Sequence, residues 1–324
     1  MARLHSVFTA AITGAIALSV SACSKPDEGK TPFAPPADQA REVFWTQVVD
    51  TGVKVPAMGM DDTSSVTTKM NLLATPSEAG ADGTTDVEIT FDYFDTSVAG
   101  AQNPALGGMD MNASNKAIAK ALMGKSITAS VDPGGYVVNV SGTDALSEGV
   151  LAEVSKLDFP EEMGDAMKKL MEETTVQQFG NDATRNMIET ISLPRSLDSL
   201  EPGVTWTRSG KSDFGMLPTD VAYTYTVTER TDAAVIVEQT STYTLDPNGT
   251  NMVEMIKLNP MAAQLGEPTF EVSGTGTGSY SIDRASGWAQ SFNGSTTLTG
   301  KLALGPMNAD ITITIAEDFT SNFQ

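Results

Sequence analysis

The sequence predicts an α+β protein, mostly β, built on one or two curved antiparallel sheets with a helical insertion packed on one face. Three observations predict it. After residue 194 nearly every run is Thr-rich with apolar residues at alternate positions, as in strands with one wet face. Residues 144–193 instead use Ala, Leu, Met, Glu and Lys, with apolar residues three and four apart. Asp-Pro and Gly clusters punctuate the β runs and supply tight turns. With 40% hydrophobic and 19% charged residues, the body has the composition of a folded domain.

The order of elements starts with an export signal. Arg3 gives a short positive start, and Phe8 to Val20 form an apolar run that is too short to span a bilayer, which takes about 20 residues. Small residues Ser21 and Ala22 then precede Cys23. Val20-Ser21-Ala22-Cys23 resembles the lipobox of bacterial lipoproteins. The resemblance implies removal of residues 1–22 and a diacylglycerol thioether on Cys23, with further acylation by chains such as palmitate. Ser24 stands where an aspartate would signal retention in the inner membrane, which implies the periplasmic face of the outer membrane. From Cys23 to Asp38, the prolines 26, 32, 35 and 36 read as an extended tether. At about 3.3 Å per residue it would reach roughly 45 Å.

The body follows. Glu42–Val49 is rich in β-formers, with a short helix after Asp38 as the alternative reading. Val66–Ala74 and Asp86–Thr96 are expected strands, and Val87, Ile89, Phe91 and Tyr93 form the apolar face of the second. A Gly/Asn-rich loop, Gly100–Met111, leads to a helix capped by Asn112 or Ser114, faced by Ala117, Ile118, Ala121 and Leu122, and stopped by Gly124. Ser126–Val131 and Tyr136–Val140 flank the turn Asp132-Pro133-Gly134-Gly135 as a hairpin.

Phe159, Met163, Met167, Leu170 and Met171 make one helical stripe, and another helix runs from Asp182 to Ile191 and ends before Pro194. Strands are then expected at Thr205–Ser212, Ala222–Thr228, Ala234–Leu245, Thr269–Ile282, Ala289–Leu304 and Ala309–Ile315. The layout is a signal peptide over 1–22, a tether over 23–38, a β-rich half over 39–143, a helical insertion over 144–196 and an antiparallel half over 197–324.

The hairpin Gly124-Lys125-Ser126-Ile127 through Asp132-Pro133-Gly134-Gly135-Tyr136 to Val140-Ser141-Gly142 resembles one in a family of bacterial lipoproteins of unknown function. Leu193-Pro194 with Gly203-Val204-Thr205-Trp206, and Gly276-Thr277-Gly278 with Gly287-Trp288, extend the match. The resemblance implies location and architecture and carries no reaction.

Chemistry is narrowed mostly by exclusion. The one histidine is His5 and the one cysteine is Cys23, so a body without them supports no Ser-His-Asp or Cys-His site and no His/Cys zinc site. With 41 acidic and 20 basic residues and a net charge of −21, phosphate-backbone binding and electrostatic attraction to anionic lipid are both disfavoured.

Met58-Gly59-Met60 and Met109-Asp110-Met111 are soft-ligand pairs suited to Cu(I); adaptable apolar filler is the plainer reading. Asp61-Asp62, Asp92 with Asp95, and Glu161-Glu162 read as solvated surface, Asp92 and Asp95 pointing to opposite faces of their strand. Gly274-Thr275-Gly276-Thr277-Gly278 lacks the lysine and following helix of a phosphate loop, so a β-bulge or a close strand approach is expected there.

No cofactor and no catalysis are expected. The expected role is binding a hydrophobic ligand, with Met163, Met167, Leu170 and Met171 as cavity candidates, or contacting an envelope protein. A carboxylate-dependent hydrolase is the alternative. The expected partners are the membrane, through acyl chains on Cys23, and a hydrophobic ligand or envelope protein. One acyl chain binds only marginally, so stable anchoring rests on two or more chains. Cys23→Ser is therefore expected to move the protein out of the detergent phase on partitioning. Full retention in that phase would contradict the anchor.

Overall fold

The computed structural model describes residues 31–37, 39–56, 60–100, 111–156, 180–195, 200–213, 218–246, 269–304 and 307–323. Eleven strands form one antiparallel sheet: β1 (Arg41–Val55), β2 (Met60–Pro76), β3 (Thr85–Gly100), β4 (Ser126–Val131), β5 (Val137–Ser141), β6 (Thr205–Asp213), β7 (Pro218–Arg230), β8 (Ala234–Leu245), β9 (Thr269–Asp283), β10 (Ala289–Leu304) and β11 (Met307–Phe323). Among the described residues three helices accompany them: α1 (Met111–Leu122), α2 (Thr143–Val154) and α3 (Asn181–Ser192).

The spatial order is β5-β4-β3-β2-β1-β11-β10-β9-β8-β7-β6. The first and last strands therefore meet in the middle, where Arg41 to Lys54 pair with Phe323 to Asp310. The two β-rich halves seen in sequence are one continuous sheet. Strands β5 and β6 are its two edges, and the connection between them carries α2 and α3.

Several local expectations change. Residues 42–49 are strand, with no helix, and β1 runs on to Val55. β7 and β11 extend well past their expected limits. Helix α1 begins at Met111, so Asn112 and Ser114 lie inside it and do not precede it as caps.

In β3 the pairing with β2 skips Asp92, a bulge opposite Asn71 and Leu72. One extra residue inverts the alternation. Phe91 faces the core, Tyr93 is 47% exposed, and Phe94 packs against the core in its place. Asp92 and Asp95 are consequently both exposed, and the expectation of opposite faces fails.

The end of the expected tether is also not a free spacer. Thr31, Phe33 and Pro35 are buried, with the Phe33 N–H on the Pro133 carbonyl (2.8 Å) and the Ala34 N–H on Ser286 (2.9 Å). Phe33 stacks on Trp288 at 5.4 Å. A buried aromatic recoups its transfer free energy, which the proline count alone could not reveal.

That contact belongs to a plug at one end of the sheet. Arg195 is 1% exposed and donates to four backbone carbonyls: Thr31 (3.0 Å), Ser192 (2.7 Å), Leu193 (2.9 Å) and Gly287 (2.7 Å). One guanidinium thus ties the N-terminal segment, the end of α3 and the β9–β10 turn. No carboxylate shares it in these bonds, and burial lowers its pKa to about 10.

Leu193 takes the left-handed conformation at φ 44°, a region that favours glycine. Its buried side chain and the Arg195 bond to its carbonyl hold it there. Gly287 has φ +67°, and a Cβ there would run into the Pro32 carbonyl and Arg195 itself. Beside the knot, Arg41 bridges Asp283 at 3.1 Å and lies over the Trp288 ring.

Arg195→Met would strand four buried carbonyls. It is expected to lower stability by about 3–5 kcal/mol, read from the midpoint of urea unfolding. A loss below about 1 kcal/mol would show that the knot is incidental.

Candidate functional site

The edge strands are joined by a helix, with no strand pairing between them. Glu189 on α3 is 4% exposed. Its Oε1 accepts the Val137 N–H of β5 at 3.1 Å, and its Oε2 is ion-paired with Arg208 of β6. Around this clasp, Asn186 donates to the Lys211 carbonyl of β6 (3.2 Å), and Ser192 Oγ donates to the Gly135 carbonyl before β5 (2.6 Å). Trp206 Nε1 donates to the Pro194 carbonyl (3.0 Å). One carboxylate can reach both edges only because the sheet is strongly coiled. Helix α3 fills the seam that further strand pairing would otherwise close.

The inner face follows from strand alternation. Nearest the plug, the rings of Trp45, Phe319, Phe292 and Tyr280 pack on one another in stacked, tilted and edge-on contacts, with centroids 4.4–6.5 Å apart. The next cross-strand row is Gln47, Glu317, Gly294, Gly278, Gln239, Tyr225 and Trp206. The row after that is Val49, Ile315, Thr296, Gly276, Ser241, Tyr223 and Arg208. Overlapping it at Ile315 and continuing past it is a second apolar cluster of Val221, Tyr243, Val272, Leu298, Ile311, Ile313 and Ile315. A polar layer is therefore held between two apolar ones.

The glycine run on β9 creates room for that layer. Pairing with β10 runs unbroken from Thr269 to Ser281, so the run is a close approach and contains no bulge. A Cβ on Gly276 would meet Thr296 Oγ1 at 2.5 Å and Ser241 Oγ at 2.6 Å. Over this glycine Ser241 and Thr296 both donate to the Tyr243 hydroxyl, at 3.2 and 3.4 Å. Interior strand glycines of this kind mark tight barrel-like bends.

Glu317 is the titratable group that stands out. It is half-buried on the inner face, between Ile315 and Phe319 in the alternation of β11. Burial pushes its carboxyl up to about 7, against the opposing pull of a hydrogen bond from Trp45. Burial also raises Tyr225 to about 12 and Tyr223 and Tyr280 well above the ordinary tyrosine value, so these hydroxyls stay neutral.

At the end opposite the plug, a cleft of about 630 Å³ is lined in part by Leu245, Phe270, Val272, Gly300 and Ile311, with Glu271, Lys301 and Asp310 also around it. Its size falls within the usual range for small-molecule sites, roughly 300–1,000 Å³.

The geometry can be set beside known proteins. A family model matches residues 82–289. The chain belongs to the Family of unknown function (DUF6263). In this DUF6263 protein the matched span holds the α3 clasp, Arg195, Ser241, Tyr243 and Gly276, and leaves out Cys23, β1, β2, β11 and all of β10 but Ala289. No curated protein matches the chain.

Among solved structures, a lipovitellin described for its lipid–protein interactions shares 13% identity over 90% of this chain and 26% of its own, at a TM-score of 0.42. An outer-membrane channel from Pseudomonas putida F1 shares 9% identity over 92% of this chain and 100% of its own, at 0.23. The outer-membrane protein OprG of Pseudomonas aeruginosa shares 8% over 90% and 100%, at 0.20. The chain spans about a quarter of the lipovitellin it is similar to. Likeness this weak carries no argument about function.

Of the residues singled out in the sequence, Cys23, Met58, Met109, Met163, Met167, Leu170 and Met171 lie outside the described residues, as does Glu161-Glu162. Met60 and Met111 open β2 and α1. Asp61 is exposed with Lys54 at 3.6 Å, and Asp62 is exposed beside it. Among the described residues no group of three acids, His or Cys could hold a metal ion.

Sequence reasoning missed Glu189, Arg208 and Glu317. Counting by twos along Ile311, Ile313, Ile315 would have placed Glu317 on the buried face, but the strand was expected to stop at Ile315.

The folded Glu317 carboxyl keeps its proton to about pH 7, while an exposed glutamate loses it near 4.5. The folded state binds more protons in that window, so this group's effect is to lower stability as pH rises from about 4.5 to 7. Glu317→Gln is therefore expected to raise the melting temperature relative to the unmutated protein at pH 8 and to leave it little changed at pH 4.5. An equal shift at both pH values would contradict the burial of this carboxyl.

Proposed function

We propose that the protein is a non-catalytic envelope lipoprotein, anchored through Cys23 to the periplasmic face of the outer membrane, that holds an apolar ligand on the inner face of its open sheet. The observation that carries this reading is the second apolar cluster. It lines the inner face beside the 630 Å³ cleft, at the end of the sheet away from the Arg195 plug. Val272 and Ile311 belong both to this cluster and to the lining of the cleft.

The docked segment Thr31–Ala37 fixes where an anchor would leave the body. Only eight positions separate Cys23 from Thr31, so at about 3.3 Å per residue the plugged end stays within roughly 25–30 Å of the membrane.

A carboxylate-dependent hydrolase would need two acids facing one space. Glu317 has Asp318 beside it in sequence, but Asp318 is exposed on the opposite face of β11. Glu189 is engaged by Arg208 and Val137. Neither of these acids has a second acid facing it, and Glu271 and Asp310 at the cleft lie on either side of Lys301, so apolar binding is the reading we favour.

Native mass spectrometry of the full chain tests it. The expected result is a lipid mass present under native conditions and lost on denaturation, which separates it from chains bonded to Cys23. A clean mass, with no uptake of the neutral apolar dye N-phenyl-1-naphthylamine, would contradict ligand binding and leave a protein–protein role.

A further inference from the structure

We infer that the ligand is a zwitterionic amphiphile, with a phosphate and an ammonium in its head as in a phosphoethanolamine lipid, and that this head lies on the charged row Glu271–Lys301–Asp310 at the cleft. This deepens the ligand-binding proposal and rests on it. Three features of the cleft carry it.

The first is position. Glu271, Lys301 and Asp310 are exposed, lie near the ends of β9, β10 and β11, and all line the 630 Å³ cleft. Val272 and Ile311, their neighbours along β9 and β11, line the same cleft and belong to the second apolar cluster. Gly300, beside Lys301 on β10, adds no side chain there. Charged and apolar groups thus border one space, as a head and its chain require.

The second is that these charges are uncommitted. Lys301 is the cross-strand neighbour of both Glu271 and Asp310. Among the described residues, however, no ion pair or side-chain hydrogen bond involves any of the three. Farther along the row Lys54 does meet Asp61, at 3.6 Å.

The third is the order of the charges, one cation between two acids. An anionic head on Lys301 would lie between two carboxylates, and a cationic head on either acid would lie beside the lysine. A zwitterion answers both, its phosphate on Lys301 and its ammonium on Glu271 or Asp310. Adjacent strands are about 4.8 Å apart, a step that the two-carbon link between phosphate and ammonium can span.

Three probes with twelve-carbon chains separate the alternatives: lauroyl-lysophosphatidylethanolamine, a zwitterion; lauroyl-lysophosphatidylglycerol, an anion; and dodecylammonium, a cation. Each is used below its micelle-forming concentration to displace N-phenyl-1-naphthylamine from the full chain at pH 7. The zwitterion is expected to bind about tenfold more tightly than either of the others. Glu271→Gln with Asp310→Asn should bring the anion level with the zwitterion, and Lys301→Gln should do the same for the cation. The substituted side chains are exposed, so the melting temperature should stay nearly unchanged.

Equal affinity for the three probes, or tightest binding of the anion or the cation, would overturn the head-group inference and leave apolar binding standing. A zwitterion preference that survives in both variants would overturn it too, as would dye uptake with no displacement by any probe. Displacement by free phosphoethanolamine at the same concentration would overturn the amphiphile in favour of a soluble solute. No dye uptake at all would remove the binding proposal beneath it.

Discussion

The structure depends on how an eleven-stranded sheet manages two edges that never pair with one another. Antiparallel hairpins carry the chain outward from the middle on both sides, and the strands that end the series, β5 and β6, are left with open ladders. Unpaired edges invite association with other chains and cost buried hydrogen bonds when covered. Here one buried glutamate on α3 answers both edges, taking the Val137 N–H from β5 and the Arg208 guanidinium from β6. Burying an acid is costly unless its partners are in place, and removing one partner of such a pair typically costs about 3–5 kcal/mol. The seam is therefore specific in register, yet it rests on a few side chains where strand pairing would give a full ladder of backbone bonds.

The rest of the interior follows from the coil that this seam closes. Inward residues alternate with outward ones on every strand, so a coiled sheet gathers its inward set into layers. On β9 three of those inward positions are glycine, and Leu298, Thr296 and Phe292 of β10 occupy the space their side chains would have filled. The wall can then bend sharply without losing register, and the hydroxyls of Ser241, Thr296 and Tyr243 converge in the gap. At one end Arg195, Phe33 and Trp288 fasten the N-terminal segment across the mouth. The opposite end keeps the second apolar cluster and a cleft around which Glu271, Lys301 and Asp310 also lie.

Much of the fold was legible because alternation and turn chemistry are local. β8 and β10 fall on their expected residues, the Asp132–Gly135 turn joins β4 to β5, and α3 ends before Pro194. The failures share a cause, which is tertiary context acting on locally ambiguous residues. The bulge at Asp92 turns Tyr93 out and Phe94 in because the partner strand sets the register, which β3 alone does not. Phe33 looks like an isolated apolar residue in a proline-rich spacer until Trp288, more than two hundred positions away, supplies its stacking partner. The clasp was illegible for the same reason: nothing in the sequence of α3 sets Glu189 apart from its exposed polar residues Asp182, Arg185 and Asn186 until β5 and β6 arrive on either side. The meeting of β1 with β11 likewise lies beyond any local pattern.

The central claim is that the clasp, and not a continuous ladder, holds the coiled sheet at its seam. Backbone hydrogen exchange on the unmutated chain and on Glu189→Ala addresses it most directly. The account predicts faster exchange confined to α3, β5 and β6, including the Val137 amide, with β1 and β11 protected as before. Unchanged protection of β5 and β6 in Glu189→Ala would contradict it.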